Sequence, residues 1–321
     1  SSGVRNASAT MGFHAITRRT LPPMTAGMET PPCDVCGETS VAVVFERNPG
    51  ARSGDAFIPT TDTFHGYGRV VRCVRCGVLR LSPRPAWGAL RGEYEASADP
   101  RYLDELAGRL ASARRMLRLL ELVVAPGRLV DVGCGPGALL AAAAPRWRAT
   151  GVELSRWSTA EARRRGGEVV EGTLAGAAFP DASIDAVTML DVVEHLPDPR
   201  EVLAEVRRIL RPGGAVLVLT PDVGAFMARA MGAWWWGLRP AHLYYFSART
   251  LRALLDQEGF EVRLVRRVGR GFTFGYWVSR MRGYAPGPID AASRLIRFVR
   301  LDRLPVFVNT FDSIAVVAVR R

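Results

Sequence analysis

The chain contains no lysine, and all 43 of its basic residues are arginines. Without a side-chain amine, the protein has no residue for Schiff-base chemistry. It also lacks an apolar stretch that is long enough and uncharged enough to cross a bilayer. The segment from Met11 to Met28 has no continuous apolar centre of the kind found in signal peptides. These absences favour a cytoplasmic protein.

Acidic residues are fewer than basic ones, 31 against 43, which gives a formal net charge of +12. A basic surface attracts phosphate-bearing substrates, RNA or anionic membranes. Because the arginines are spread along the whole chain, the charge alone does not choose among these partners. The length of 321 residues is sufficient for two domains of ordinary size.

A glycine-rich loop at 133–137 is the clearest motif. The preceding residues, 129–132, form an apolar run that contains one acid, Asp131, and an alanine-rich segment follows the loop. Glycines allow a tight turn and bring a ligand against bare main chain. The spacing also satisfies the looser form of the dinucleotide fingerprint. A carboxylate just before the loop suits a cationic ligand better than the pyrophosphate of a dinucleotide. Asp131 therefore favours a cationic ligand at this loop.

Four motifs occur in the order found in the class I S-adenosylmethionine (SAM) dependent methyltransferases, which the chain resembles from about residue 126 to 321. After the glycine loop come GVELS at 151–155, FPDASIDAV at 179–187, and the pair DVVEHLPDP at 191–199 and LRPGG at 210–214. Several motifs in a fixed order indicate a family far more specifically than one glycine loop does. The resemblance implies an α/β fold with a Rossmann-like, seven-stranded, mostly parallel sheet and an antiparallel edge strand.

The resemblance also implies which residues hold SAM. Glu153, at the end of the second strand, would bind the ribose hydroxyls. Members of the family often place an acid near the end of the third strand, and here that stretch reads Gly172-Thr173-Leu174. The implied cofactor-binding residues are Asp131, Gly133, Cys134, Gly135, Gly137, Glu153, Leu154, Thr173, Leu174 and Asp191.

Two C-x-x-C-G motifs lie at 33–37 and 73–77. Four thiolates in two close pairs suit a tetrahedral zinc ion. Disulfides fit poorly with a chain that lacks an export signal, and a redox C-x-x-C motif needs no second copy. We therefore predict a small, zinc-ribbon-like module with a closed structural zinc site, with His65 as an alternative ligand. Its ligands are Cys33, Cys36, Cys73 and Cys76.

Composition and periodicity divide the chain into a disordered tail at 1–28, the zinc-binding module at 29–82, a helical lid and linker at 83–125, and the SAM-binding core at 126–321. Alternating apolar strands and helices in the core predict a parallel sheet. The predicted strands are 128–132, 148–153, 168–171, 184–190, 215–220, 261–267 and 312–319.

The linker begins with Ser82-Pro83-Arg84-Pro85, which is stiff because each proline disfavours helix at the residue before it. Asp99-Pro100 begins a predicted helix that runs to about Val124.

Two aromatic segments of the core, at 223–246 and 270–305, are predicted substrate-side insertions. Arginines interleave with the aromatic residues in both. Such segments wall a substrate pocket or rest on a membrane surface. Packing as ordinary core stays open as an alternative.

Histidine is the residue type that suits removal of a proton from the acceptor, because its pKa lies near neutrality. Methyl transfer from a sulfonium needs mainly alignment and that proton removal. Of the four histidines, His14 falls in the tail and His65 in the zinc module. His195 and His242 fall at the predicted ligand-binding rim of the sheet.

The run HLYYFS at 242–247 is similar to the H-x-x-Y-F-S stretch of zinc-bearing sugar C-methyltransferases. The resemblance covers the zinc module, lid and core, without the extra C-terminal domain that those enzymes carry. It implies that His242 is the general base and that His195 assists at the acceptor. It also implies a catalytic aromatic hydroxyl from the lid, supplied by Tyr94 or Tyr102.

The sequence as a whole predicts a SAM-dependent methyltransferase that modifies carbon or oxygen of a small molecule, a sugar or secondary metabolite of natural product biosynthesis. Its expected cofactors are SAM and a structural Zn²⁺, and its substrate is phosphate-bearing or hydrophobic. One alternative is a lipid or quinone methyltransferase in peripheral contact with a membrane. Others are an RNA methyltransferase and a non-catalytic SAM-fold subunit. Residues 191–194 read DVVE and not the N-P-P-Y type that clamps a flipped base, so nucleic acid is the less favoured partner.

Overall fold

The structure is a computed structural model that describes residues 27–49, 60 and 66–321. Residues 1–26 of the tail predicted at 1–28 lie outside the described residues, as do His14 and His65, whereas Met28 begins a short strand. The helices of the described part are α1 (Trp87–Ala96), α2 (Leu106–Glu121), α3 (Ala138–Ala143), α4 (Arg156–Arg164), α5 (Pro199–Ile209), α6 (Phe226–Met231), α7 (Ala248–Gln257), α8 (Phe274–Arg280) and α9 (Pro286–Phe298).

The strands of the same residues form one large sheet, a four-stranded sheet and several two-stranded ribbons. They are β1 (Met28–Glu29), β2 (Val41–Phe45), β3 (Asn48–Pro49), β4 (Gly66–Tyr67), β5 (Val70–Cys73), β6 (Leu79–Leu81), β7 (Arg84–Pro85), β8 (Arg128–Val132), β9 (Arg148–Glu153), β10 (Glu168–Glu171), β11 (Ile184–Leu190), β12 (Leu210–Pro221), β13 (Tyr244–Tyr245), β14 (Phe260–Arg267), β15 (Arg270–Thr273), β16 (Pro305–Val308) and β17 (Ser313–Arg320).

The large sheet has the strand order β10-β9-β8-β11-β12-β17-β14. Strand β17 runs antiparallel between β12 and β14, one place in from the edge, and the other six strands run parallel. The predicted α/β fold class is therefore confirmed. The first four predicted strands have the observed bounds, whereas the fifth begins at Leu210 instead of 215.

The central strands are covered on both faces. Val130, Val187 and Val216 have no exposed surface, as expected for parallel strands that read as nearly continuous apolar runs. The strand order reverses between β8 and β11, and in such sheets ligands bind outside the carboxyl ends of the strands at this point. The fold therefore places its ligand cleft after β8, β9 and β11.

The four-stranded sheet, in the order β13-β6-β5-β2, carries the second cysteine motif and contains one strand from the core. In β13, Tyr244 pairs with Arg80 and Tyr245 with Leu79. Both tyrosines are buried. This part of the predicted insertion at 223–246 therefore packs as core and neither walls a pocket nor meets solvent.

The segment at 82–85, predicted to be a stiff linker, is extended but is not a free spacer. Its strand β7 pairs antiparallel with β1. Arg84 is buried and its guanidinium donates to Asp34 and to the hydroxyl of Tyr244. A buried arginine with these partners fixes the segment against both the cysteine module and the core.

The helix predicted from Asp99 to Val124 is divided into a 3-10 helix at Pro100–Glu105 and α2. Helix α2 approaches β15 so closely that a Cβ at Gly108 would lie 2.4 Å from the carbonyl oxygen of Gly271. This approach brings β15 over the ligand cleft. Among the described helices, none combines the length and the apolar character that a membrane crossing requires.

Candidate active site

A cavity of about 780 Å³ opens at the carboxyl ends of the parallel strands. Its floor is the glycine loop, and its walls come from α1, the segment after β11, the segment before β13 and the β15–α8 region. Both Glu153 and His242 line this cavity. The structure thus brings the predicted cofactor and acceptor residues into one continuous space.

The glycine loop binds Glu153 through main chain. The backbone N–H of Gly135 donates to Glu153 Oε2 and that of Ser155 to Oε1, both at 2.8 Å. Gly133 has φ +68°, and a Cβ there would lie 2.6 Å from Val192 Cγ2. Each Glu153 oxygen keeps a lone pair for a ligand hydroxyl. Burial raises the pKa of Glu153, and the two N–H donors oppose that shift.

Three of the predicted cofactor-binding residues do not line the main cavity. Asp131 and Cys134 line an adjoining space of about 90 Å³, and Gly137 precedes α3 with φ +83°. The hydroxyl of Thr188 donates to Asp131 Oδ1 at 2.6 Å. Burial raises the pKa of Asp131 to about 7. The residues that do line the cavity are Gly133, Gly135, Glu153, Leu154, Thr173, Leu174 and Asp191.

Asp191 ends its strand in a left-handed backbone conformation, with φ +57°. Arg270 from β15 donates to both of its carboxylate oxygens. Burial alone would raise the pKa of Asp191, but the Arg270 guanidinium outweighs it and lowers that pKa. The partner is 79 positions away in the sequence, which is why the sequence pattern does not reveal it.

His195 and His242 lie edge to face with ring centroids 4.7 Å apart. Nδ1 of His195 is 2.9 Å from the carbonyl oxygen of Ala241, and Nδ1 of His242 is 3.0 Å from that of Gly237. A carbonyl oxygen only accepts, so each Nδ1 carries the proton and each Nε2 keeps its lone pair. Burial lowers the pKa of His195 to about 4 and that of His242 well below its ordinary value.

The two lid tyrosines lie at different places around the cavity. The hydroxyl oxygen of Tyr94 is 2.9 Å from His195 Nδ1. The ring of Tyr102 lies under the guanidinium of Arg109, 3.8 Å from the ring centroid, and its hydroxyl oxygen is 3.6 Å from the Cβ position of Gly135. Tyr94 therefore adjoins the histidine pair, whereas Tyr102 adjoins the glycine loop.

Glu194 joins the histidine pair, although sequence reasoning did not assign it a role. Glu194, His195 and His242 each offer one ligand atom, and these atoms lie within 4.8 Å of one another. The hydroxyl of Thr220 donates to Glu194 Oε2 at 2.9 Å. Burial raises the pKa of Glu194 to about 8, and the charge of Asp191 acts in the same direction. The signal that was present in the sequence is the adjacency of Glu194 to His195.

The aromatic segment that follows β14 contributes to the wall of the cavity. Phe272, Tyr276 and Trp277 line it, with the rings of Phe272 and Tyr276 stacked at 4.2 Å. The guanidinium of Arg239 also lines the cavity, and burial lowers its pKa to about 10. This part of the cavity wall is therefore aromatic, with arginine side chains among the rings.

The four cysteines of the two C-x-x-C-G motifs form a cluster outside the cavity. Their Sγ atoms pair at 3.6 Å (Cys33 and Cys76) and 3.5 Å (Cys36 and Cys73), and all four lie within 4.8 Å of one another. Ligands on a tetrahedral zinc at about 2.3 Å are roughly 3.8 Å apart, whereas a disulfide needs about 2.05 Å. The cluster is compatible with zinc and excludes disulfide pairing among these cysteines in this structure.

The cleft at the strand-order switch thus has an acid, Glu153, at the end of β9 and a glycine loop beside it. A family model described as a methyltransferase domain matches residues 102–265. The chain therefore belongs to the family of proteins with this methyltransferase domain.

Two curated relatives each match less than half of the chain. An uncharacterised 37.1 kDa protein in transposon Tn4556 of Streptomyces fradiae is 37% identical over 156 residues, which is 45% of this chain and 44% of that protein. A probable SAM-dependent methyltransferase of Mycolicibacterium smegmatis is 36% identical over 138 residues, 42% of this chain and 52% of the relative. This chain spans about half the length of these curated relatives.

Among solved structures, the YcgJ protein of Bacillus subtilis matches with a TM-score of 0.44 and 18% sequence identity. The match covers 64% of this chain and 97% of that chain.

Proposed function

We propose that the protein methylates carbon or oxygen of a small-molecule acceptor, a sugar or other secondary metabolite, and that the acceptor loses its proton at the histidine pair. The observation that carries the proposal is the single cavity that joins Glu153 to His242. SAM supplies a methyl group on a sulfonium at the Glu153 end. The aromatic wall at 272–277 and the histidines enclose the acceptor end.

The hydrogen bonds of the histidines support this role. With both Nδ1 protons donated to backbone carbonyls, the two Nε2 lone pairs are the available basic atoms. We assign the base to His242, with His195 and the Tyr94 hydroxyl positioning the acceptor beside it. An imidazole nitrogen with a free lone pair can accept the proton itself, or it can bind a cation that lowers the pKa of the acceptor group. The proposal requires only that the proton is lost here.

The experiment compares His242→Ala with wild-type protein on a panel of hydroxyl- and keto-bearing metabolites and nucleotide sugars, with formation of S-adenosylhomocysteine as the readout. We expect turnover to fall by about 10²-fold or more, because general-base catalysis contributes on that order. SAM affinity, measured by calorimetry, stays within about twofold. His14→Ala, in the predicted N-terminal tail, is the matched control. Unchanged turnover of His242→Ala with intact SAM binding removes His242 from the mechanism.

We further propose that the cysteine cluster holds a structural zinc ion. The Sγ spacing of 3.5 and 3.6 Å fits thiolate ligands around one ion. No carboxylate or histidine of the described residues joins this cluster, so the four thiolates close the coordination shell. Elemental analysis should show one zinc fewer per chain in Cys76→Ser than in the wild-type protein. A protein that is folded and free of zinc contradicts this assignment.

A second candidate function is methylation of a lipophilic acceptor at a membrane surface, which α9 favours. Phe298 is 84% and Leu295 62% exposed, and they share one face of the helix. Arg294 and Arg297 flank that face and are exposed as well. An arginine-flanked apolar face suits an anionic bilayer. Co-flotation with anionic liposomes supports this candidate, and failure to co-float counts against it.

A further inference from the structure

We propose that Glu194, His195 and His242 bind a divalent transition-metal ion in the acceptor end of the cavity, separate from the cysteine cluster. The part of this inference that concerns the acceptor rests on the proposed function. The part that concerns metal binding stands on the three side chains alone. These residues come from two elements, the 3-10 helix Val193–His195 that follows β11 and the segment before β13.

The first observation is the convergence of three ligand atoms. One atom from each side chain lies within 4.8 Å of the other two. Ligands bound to one ion at about 2.1 Å are roughly 3 to 3.4 Å apart, so a small rotation of the side chains closes the site. Two imidazoles and one carboxylate form a set that proteins use for zinc and for non-heme iron.

The second observation is a buried oxygen without a partner. Glu194 is 1% exposed, and its Oε1 has no hydrogen-bond partner among the described residues. Its other oxygen accepts from Thr220. Buried polar atoms are nearly always satisfied, and an exception requires an explanation such as an ion. A cation between Oε1 and the two imidazoles supplies the missing partner.

The third observation is the way in which the rings are held. The Nδ1–H groups of His195 and His242 donate to the carbonyl oxygens of Ala241 and Gly237. Metal-bound histidines usually donate their second N–H to a carbonyl or carboxylate, which fixes the tautomer and orients the lone pair. Both rings therefore have the hydrogen bonding of metal ligands. Because two of the three donors are nitrogen, the site suits a transition metal better than Mg²⁺ or Ca²⁺.

The remaining coordination positions face the cavity, which all three side chains line. An acceptor hydroxyl bound to the ion becomes more acidic because the cation stabilises the oxyanion. The O–H bond breaks, the electron pair stays on oxygen, and the proton passes to water. In this state the Nε2 lone pairs hold the ion, so His242 acts on the acceptor through the metal, and it acts as the direct base only in metal-free protein.

Mn²⁺ binding to the full chain, followed by electron paramagnetic resonance, tests the site, because thiolate clusters bind this hard ion poorly. We expect one Mn²⁺ per chain and at least about a tenfold loss of affinity in Glu194→Gln. Glu205→Gln, which changes another carboxylate of the same cavity, is the matched control and should bind like wild-type protein. SAM affinity, which depends on Glu153, reports whether each variant is folded.

Absence of saturable Mn²⁺ binding, or binding that Glu194→Gln leaves unchanged, overturns the inference. The proposed function fails in a different way. If Mn²⁺ binds as expected but no small molecule on the panel is methylated, the metal site stands and the acceptor class is wrong. If chelator-treated protein methylates an acceptor at the full rate and does not bind Mn²⁺, the acceptor class stands and the metal inference fails.

Discussion

The hydroxyl group of Tyr244 contacts the carboxylate of Asp34, which lies between Cys33 and Cys36 in the first cysteine motif. Tyr244 lies two residues after His242, and its strand β13 pairs with β6 of the cysteine module. The same hydroxyl accepts from Arg84 at 3.0 Å. The module therefore holds the backbone that carries His242, although none of its cysteines lines the cavity.

Tyr244→Phe tests this connection. We expect turnover to fall by about tenfold or more, because a small displacement of a catalytic group is costly. SAM affinity should change less than twofold, since Glu153 lies on another element. Kinetics on an accepted substrate and calorimetry with SAM measure the two effects. Tyr67→Phe removes another tyrosine hydroxyl near the module and should keep full turnover. A loss of SAM affinity equal to the loss of turnover speaks for general unfolding and against a positioning role.

Glu153→Ala should weaken SAM binding more than tenfold, because charge-assisted hydrogen bonds to the ribose are lost. The variant also removes the acceptor for the N–H groups of Gly135 and Ser155. Glu171→Ala is the matched control, because Glu171 pairs with Glu153 across neighbouring strands and is exposed. Calorimetry that shows wild-type affinity for Glu153→Ala contradicts the cofactor placement.

Asp131 should make stability depend on pH. Burial raises its pKa in the folded protein from 3.8 to about 7, so between these values the folded state holds a proton that the unfolded state has released. The free energy of unfolding therefore falls as pH rises through this window, by up to about 1.4 kcal/mol per pH unit for one such group.

Asp131→Asn removes the carboxyl group that binds this proton in the folded state and not in the unfolded state. Its free energy of unfolding, measured by denaturant titration from pH 4 to 8, should fall less steeply with pH than that of wild-type protein. Asp104→Asn, at an exposed acid, should keep the wild-type slope. Equal slopes for wild-type protein and Asp131→Asn would falsify the assignment of a raised pKa to this carboxyl.

Gly108→Ala should lower the free energy of unfolding by about 1 to 3 kcal/mol, because the added Cβ meets the backbone of β15 and the packing must shift. Gly92→Ala in α1, where a Cβ has no atom within 4 Å, should instead stabilise by up to about 1 kcal/mol. Thermal and denaturant unfolding measure both changes. A Gly108→Ala protein as stable as wild type would mean that α2 and β15 separate easily.

The sheet was predictable from the sequence because its signals are local. Apolar runs such as 128–132 and 184–190 read as strands, and the ordered motifs around Glu153 and Asp191 indicate the cleft. Contacts between distant elements were not predictable in this way. The Arg270–Asp191 ion pair and the β13–β6 pairing each join elements far apart in the chain. The adjacency of Glu194 to His195 was the sequence signal, but the proposed role of Glu194 also depends on burial and on an oxygen without a partner among the described residues, which no spacing encodes.

The helix after Asp99 shows a second feature that the sequence pattern does not predict. The apolar spacing there correctly indicates helix, but the 3-10 turn at Pro100–Glu105 depends on tertiary contacts. Glu105 accepts from the backbone and hydroxyl of Thr273, and Asp99 accepts from Thr60. These partners hold the segment in a shape that helical periodicity does not specify.

Strand β13 determines which segments must be transferred together when a chimera is made from related enzymes. A graft cut at the prolines near 83–85 would transfer three strands of a four-stranded sheet and leave the fourth behind, with the edge of β6 unpaired in the donor piece. A workable chimera must carry residues 237–247 together with the cysteine-bearing segment. Although residues 82 and 237 are 155 positions apart in the chain, the two parts form one sheet and must be transferred together.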